Sequence, residues 1–158
     1  MHLFSTQANR ASVERLRKLD VFRDLTFKEA LEVDELLHER VYEKNEMIFE
    51  EGDLGHGIFI VVSGKVRVDS SYELLKTAVL EFGPGEMLGE LSLFEDAPRT
   101  ATVVAVEPTV MLALFRAEFF SLLTKNKKIG VKVLLKMSST MGRRSRRLLL
   151  GERHHPSL

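Results

Sequence analysis

The stretch Gly89-Glu90-Leu91-Ser92-Leu93-Phe94-Glu95-Asp96-Ala97-Pro98-Arg99-Thr100-Ala101-Thr102-Val103 gathers residue types suited to holding an anion. Gly89 permits close backbone approach. A helical turn starting there would aim amides near Leu91 and Ser92 at a negative group, with the positive helix end adding attraction. Amides carry no net charge, and Arg99 supplies one; its planar fork matches two phosphate oxygens as a lysine cannot, and Pro98 stiffens its approach. A carboxylate beside a phosphate would repel it, so Glu90 is read as accepting a hydrogen bond from a sugar hydroxyl, which selects a ribose. Thr100 and Thr102 alternate with Ala101 on the following strand, so both hydroxyls are expected to face the ligand while Ala101 faces away. A plainer reading stays open, in which Glu90 and Arg99 form a surface ion pair of little energetic weight.

Positioning such a cassette requires a rigid frame, and the periodicity predicts one. Residues 11–19 are expected to form a short helix, and Thr26 opens a second, running to about Glu39, with Glu29 placed to complete a capping box. From Val41 the period changes to short apolar runs separated by glycine and acid clusters about every ten residues, the pattern of a β sandwich or barrel. Strands are predicted at 58–62, around Val66 and Val68, at 74–82, at 100–106 and at 110–115, broken by Gly83-Pro84-Gly85 and Pro108. Helical spacing returns at 117–123 and again from Ile129, where Leu134, Met137, Met141 and Leu148 form a stripe that Arg144 interrupts. The expected partition is an N-terminal helical segment over 1–19, a binding domain over 20–141, and a basic tail over 142–158, frayed from about Gly142.

The 158 residues are 44% hydrophobic and 29% charged, which excludes disordered and low-complexity classes and suits a single soluble domain. The absence of cysteine closes disulfide, thiolate-metal and cysteine-nucleophile chemistry. No leader and no apolar run of membrane-spanning length is read, so the expectation is a cytoplasmic chain without a transmembrane segment. The zero net charge conceals an asymmetry. Residues 125–158 hold ten bases and one acid, +9, against thirteen bases and twenty-two acids, −9, in residues 1–124. A basic end of this kind serves nucleic acid, anionic lipid or an acidic partner, or it docks on the acidic body; docking or simple solvation is the default.

The run Gly89 to Val103, with Gly52-Asp53, Gly55 and Gly64 upstream and Gly83-Pro84-Gly85 between strands, resembles the cyclic nucleotide-binding domain of the catabolite activator family, protein kinase A regulatory subunits and cyclic nucleotide-gated channels. The likeness extends over about residues 20–145. It implies a β jelly-roll barrel with helices at both ends and a cyclic nucleotide, cAMP or cGMP, as ligand. By this resemblance the amides of Gly89, Glu90, Leu91 and Ser92 and the guanidinium of Arg99 would hold the cyclic phosphate, and Glu90 would take the ribose 2′-hydroxyl. Thr100 and Thr102 would touch phosphate or base, with Thr100 leaving cGMP open beside cAMP. Val68, Leu80 and Leu88 would line the base pocket, the last helix would lid it, and that helix would offer a homodimer contact. Two departures stand out. His56 occupies the place of an aspartate that steadies the arginine in kinase regulatory subunits, and residues 151–158 are too few for the helix-turn-helix that DNA-binding relatives carry.

Rival chemistries find little support in the residues. The five histidines, His2, His38, His56, His154 and His155, include no His-x-His set, so a cupin-type metal site is not expected. Glu90, Glu95 and Asp96 cluster without a titratable base, which argues against a catalytic site. The pairs Arg143-Arg144 and Arg146-Arg147 lack interleaved aromatics for base stacking. The expectation is therefore a nucleotide sensor, not an enzyme, without metal or cofactor, signalling to an effector that the sequence does not name. The alternative is a domain of the same fold that binds only a protein partner.

Overall fold

Two apolar runs, Gly57–Ser63 and Thr109–Phe115, carry no polar alternation, as expected of strands covered on both faces. In the computed structural model, which describes residues 2–72 and 80–150, they pair antiparallel at the centre of one sheet. Their register sets Ile58 opposite Leu114 and Ile60 opposite Leu112 on one face, and Val61 opposite Met111 on the other. The first face belongs to a large core shared with the helices, the second to a smaller cluster between the sheets.

In chain order the elements are α1 (His2–Arg17), a single 3-10 turn (Asp20–Phe22), α2 (Phe27–Asp34), β1 (His38–Tyr42), β2 (Met47–Phe49), β3 (Gly57–Ser63), β4 (Val66–Asp69), β5 (Leu80–Phe82), β6 (Met87–Leu88), α3 (Leu91–Phe94), β7 (Thr102–Ala105), β8 (Thr109–Phe115), α4 (Arg116–Lys125) and α5 (Lys127–Leu149). The strands form two four-stranded sheets of order β1-β8-β3-β6 and β2-β7-β4-β5, the jelly roll with flanking helices that the sequence implies. No helix among the described residues is long and apolar enough to cross a membrane.

The predicted capping box is present. The Glu29 amide donates to Thr26 Oγ1 at 3.2 Å and the Thr26 amide to Glu29 Oε2 at 2.9 Å. The helix it starts stops at Asp34, short of the predicted Glu39. Tight i→i+3 bonds from the Leu36 amide to Val33 O and from the Leu37 amide to Asp34 O carry the same apolar spacing through a turn, so the pattern outlasts the helix. The first helix begins at His2, ahead of the predicted Ala11. The predicted strand over 74–82 is observed as Leu80–Phe82; residues 73–79 lie outside the described residues, as do Gly151 to Leu158 with His154 and His155.

At the C-terminal end, the predicted fraying at Gly142 does not occur, and α5 continues unbroken to Leu149. Its charge explains part of this. Lys128 and Lys132 reach Glu29, with Lys132 Nζ 2.6 Å from Oε2; Lys136 pairs with Asp24 at 3.1 Å, and Arg143 with Asp20 at 3.1 Å. Of the two defaults for the basic end, docking on the acidic N-terminal elements holds for Lys128, Lys132, Lys136 and Arg143, while Arg146 and Arg147 are exposed. Ile129, Gly130, Val133 and Met137, on the adjoining face of α5, are buried, and the three apolar side chains belong to the main core. A Cβ on Gly130 would lie 2.7 Å from Leu123 Cδ2 and 3.0 Å from Leu123 Cα on α4, so the two helices approach closely there.

Candidate functional site

Arg99 sits in the loop between α3 and β7, and its backbone is fixed before its side chain is considered. The Gly52 amide donates to Arg99 O at 2.9 Å and the Arg99 amide to Asp53 O at 2.7 Å, which assigns the Gly52-Asp53 pair a structural task. The guanidinium then enters the fold and is only 7% exposed. Its Nη1 donates to Gly89 O and Ser92 Oγ, both at 3.1 Å, and its Nη2 donates to Gly57 O at 3.0 Å. Its Cζ lies 4.2 Å from the centroid of the Phe49 ring and 5.8 Å from that of Phe59.

Two glycines make this seat possible. A Cβ on Gly89, whose φ is +75°, would run into Arg99 Nη1; a Cβ on Gly55 would meet Ser92 and stand 2.7 Å from Arg99 Nε. These are the close approaches for which the sequence reserved Gly55 and Gly89.

The electrostatics are unusual for a buried cation. Every hydrogen-bond acceptor described for Arg99 is neutral, and among the described residues it makes no ion pair within 4 Å. Burial pulls its pKa below the usual arginine range, opposed by the more distant charges of Glu90 and Asp53. The surface ion pair between Glu90 and Arg99 is thus not formed. His56, expected to leave Arg99 without its steadying carboxylate, is exposed and uses its carbonyl to accept the Arg116 amide; backbone carbonyls and aromatic faces hold Arg99 instead.

The turn that follows Gly89 differs from the prediction in two respects. α3 is a single turn, so a helix dipole contributes little, and the Ser92 amide is already donated to Gly89 O at 3.2 Å. Ser92 acts through its hydroxyl, which accepts from Arg99 and is 4% exposed. The Glu90 and Leu91 amides lie at the start of this turn, where no acceptor within the helix precedes them. Leu91 itself is exposed.

Glu90 is 8% exposed, and its partner is one the sequence reading missed. Arg144 of α5 donates from Nη1 to Glu90 Oε1 at 2.6 Å and from Nη2 to Met87 O at 2.6 Å, with its Cζ 4.9 Å from the Phe82 ring centroid. The sign of it was there: Arg144 interrupts the apolar stripe of α5, and a charged residue on the inward side of a helix needs a buried partner.

The remaining predicted residues separate into two groups. Val68, Leu80 and Leu88 do come together, in the cluster built on Val61, Val66, Phe82, Val103 and Met111, where Phe49 and Phe59 also pack. Val68 stands opposite Leu80 on β4 and β5, and Leu88 opposite Phe59 on β6 and β3. For the threonines, burial runs against the predicted alternation. Ala101 is the covered residue, Thr100 is exposed, and the Thr102 hydroxyl is engaged by the Glu51 amide at 3.0 Å. The backbone bend that brings Arg99 inward shifts the phase of the alternation before β7 begins at Thr102.

Comparison with known proteins agrees with this geometry. Residues 39–126, more than half of the chain, match the family described as the cyclic nucleotide-binding domain. The cyclic AMP receptor protein of Thermus thermophilus is 41% identical over 87 residues, 54% of this chain and 40% of that protein. A cAMP-dependent protein kinase regulatory subunit of Yarrowia lipolytica is 35% identical over 125 residues, 73% of this chain and 32% of the relative. The chain thus spans well under half the length of these relatives. Among solved structures, a cyclic nucleotide-binding domain from Methylobacillus flagellatus superposes with a TM-score of 0.76 at 24% identity, covering 90% of this chain and 80% of that one. The Thermus thermophilus catabolite activator protein gives 0.69 at 33% identity, with 84% and 61% covered. With the Arg99 seat, the glycines that shape it and these matches in agreement, the chain belongs to the cyclic nucleotide-binding domain family.

Proposed function

We propose that the chain is a cytoplasmic sensor of cAMP or cGMP that works by binding and performs no catalysis. The observation carrying this reading is the Arg99 guanidinium, buried and charged yet held only by neutral acceptors. Such a cation carries a desolvation cost that an anion bearing one delocalised charge offsets, and the exocyclic oxygens of a cyclic phosphodiester match its fork. Glu90, 8% exposed on the neighbouring turn, would accept the 2′-hydroxyl, and Val68, Leu80 and Leu88 would receive the base. Thr100 and Thr102 would complete the contacts at the edge of the pocket.

The output in this reading is closure of α5 over the bound base. The N-terminal half of the helix is seated in the main core, and its distal half is held through Arg143 to Asp20 and Arg144 to Glu90, contacts that would have to exchange for it to respond to ligand. The exposed Val131 and Leu135, one turn apart on α5, offer the contact for a second copy of the chain. A second reading, a domain of this fold that binds only a protein, is favoured by the engagement of Glu90 with Arg144.

Calorimetric titration of the chain, stripped of ligand carried from expression, with cAMP, cGMP and 5′-AMP separates the two. The sensor reading expects saturable binding of at least one cyclic nucleotide with 5′-AMP weaker. Heat from neither cyclic nucleotide would refute it.

A further inference from the structure

Resting on the sensor reading, we infer that Arg144 is a built-in competitor for the sugar subsite, which the ribose 2′-hydroxyl must displace before the nucleotide can seat. Glu90 is the buried carboxylate beside the Arg99 seat, and in the described structure its Oε1 is taken by Arg144 at 2.6 Å. The same guanidinium spends its second prong on Met87 O at 2.6 Å and lies against the Phe82 ring. Phe82 and Leu88, which adjoins Met87, belong to the apolar cluster that includes Val68 and Leu80. Arg144 therefore bridges the carboxylate of the sugar position and the wall of the base position at once.

The chemistry of the contact suits a competitor. A guanidinium offers Glu90 the same kind of donor that a sugar hydroxyl would, with a charge added, so the two cannot share Oε1 without loss. The Arg144 side chain is 24% exposed, against 11% for Glu90, so water can take over the released guanidinium far more readily than it can reach the carboxylate. Its position on α5, 54 residues from Glu90, couples the sugar position to the helix that carries the output. Arg99 has no such competitor, since its described acceptors are local carbonyls and a serine hydroxyl that leave its charge uncompensated. Phosphate thus meets a prepared seat and the sugar meets an occupied one.

A binding-competent state that is open for only a tenth of the time weakens apparent affinity about tenfold, and removing the occupant recovers that factor. The test is calorimetric titration of the ligand-stripped full chain, wild type and R144Q, with cAMP, cGMP and 2′-deoxy-cAMP. R144Q is expected to bind the preferred ribonucleotide about tenfold more tightly and to gain no more than about threefold for the deoxy ligand, which makes no demand on Glu90. R144K, which keeps the charge but cannot hold Glu90 and Met87 O together, is expected to gain less than R144Q. Unchanged or weaker binding by R144Q, equal gains for ribose and deoxyribose ligands, or a larger gain for R144K overturns the inference while leaving the sensor reading intact. Failure of wild type and both variants to bind any of the three refutes the sensor reading, and this inference with it.

Discussion

The site contains two guanidinium groups, and they are held in opposite ways. Arg99 is fixed by groups of the jelly roll itself, Gly57 O, Gly89 O and Ser92 Oγ, all neutral and all set by backbone geometry. Arg144 arrives from a helix distant in sequence and is held by a carboxylate, Glu90, together with Met87 O. The first arrangement leaves a charge waiting for a counter-charge; the second satisfies a charge that another donor would have to take over. In the proposed reading, the difference makes the phosphate half of the site preorganised and the sugar half conditional on α5.

The sharpest way to break this comparison is at Gly89, where the backbone is left-handed and a side chain would collide with Arg99. Gly89→Val is expected to lower cyclic nucleotide affinity by about 100-fold or more and to destabilise the fold by roughly 1–3 kcal/mol, read by titration and by thermal unfolding. Retained affinity would show that Arg99 tolerates displacement and that its seat is not preorganised.

At the sugar half a smaller effect with a chemical signature is expected. Glu90→Ala removes the acceptor and releases Arg144 together, so affinity for a ribonucleotide should fall about tenfold and for its 2′-deoxy analogue by less than about threefold. Equal losses would detach Glu90 from the sugar.

The seam between α5 and the N-terminal elements gives the next step down. Hydrogen bonding from Lys132, aided by the Thr26 amide, holds the Glu29 carboxyl at about 2, below its ordinary value of 4.5. Because the folded pKa is the lower one, the stabilisation is complete above about pH 4.5 and is lost as pH falls towards about 2. Glu29→Gln is expected to cost about 1–2 kcal/mol at neutral pH, discounted for the solvent access of Lys128 and Lys132, and to flatten the acid limb of the stability profile over that window. Denaturant unfolding at stepped pH reads both. The smallest effect belongs to Arg143→Ala, which breaks the exposed pair with Asp20 and should change stability by no more than about 0.5 kcal/mol, with the change shrinking further in high salt.

What could be read from the sequence follows the distance over which each contact acts. The capping box of Thr26 and Glu29, the buried runs at Gly57–Ser63 and Thr109–Phe115, and the cassette around Arg99 are specified by residues close in the chain or by an unbroken apolar pattern. Gly55 and Gly89 were legible as glycines, though that their lack of a side chain makes room for Arg99 and Ser92 required coordinates. The end of α2 at Asp34 was not legible, because a tight turn buries Leu36 and Leu37 on the same spacing as a helix. Nor was the inversion of burial at Thr100, Ala101 and Thr102, since strand alternation keeps its phase only where the strand is regular. Arg144 registered only as an interruption in a stripe; its partner Glu90 lies in another element, and periodicity has no term for that.

The central claim is that the buried Arg99 charge exists for a ligand and not for the fold. Arg99→Met keeps much of the side-chain volume against Phe49 and Phe59 while removing the charge that burial disfavours. Titration with cAMP and cGMP, run beside thermal unfolding of the same samples, is the direct measurement. The account predicts a loss of affinity of about 100-fold or more, with a melting temperature within a few degrees of wild type or above it. Undiminished nucleotide binding by the methionine variant, or a collapse of stability with the charge removed, would contradict it.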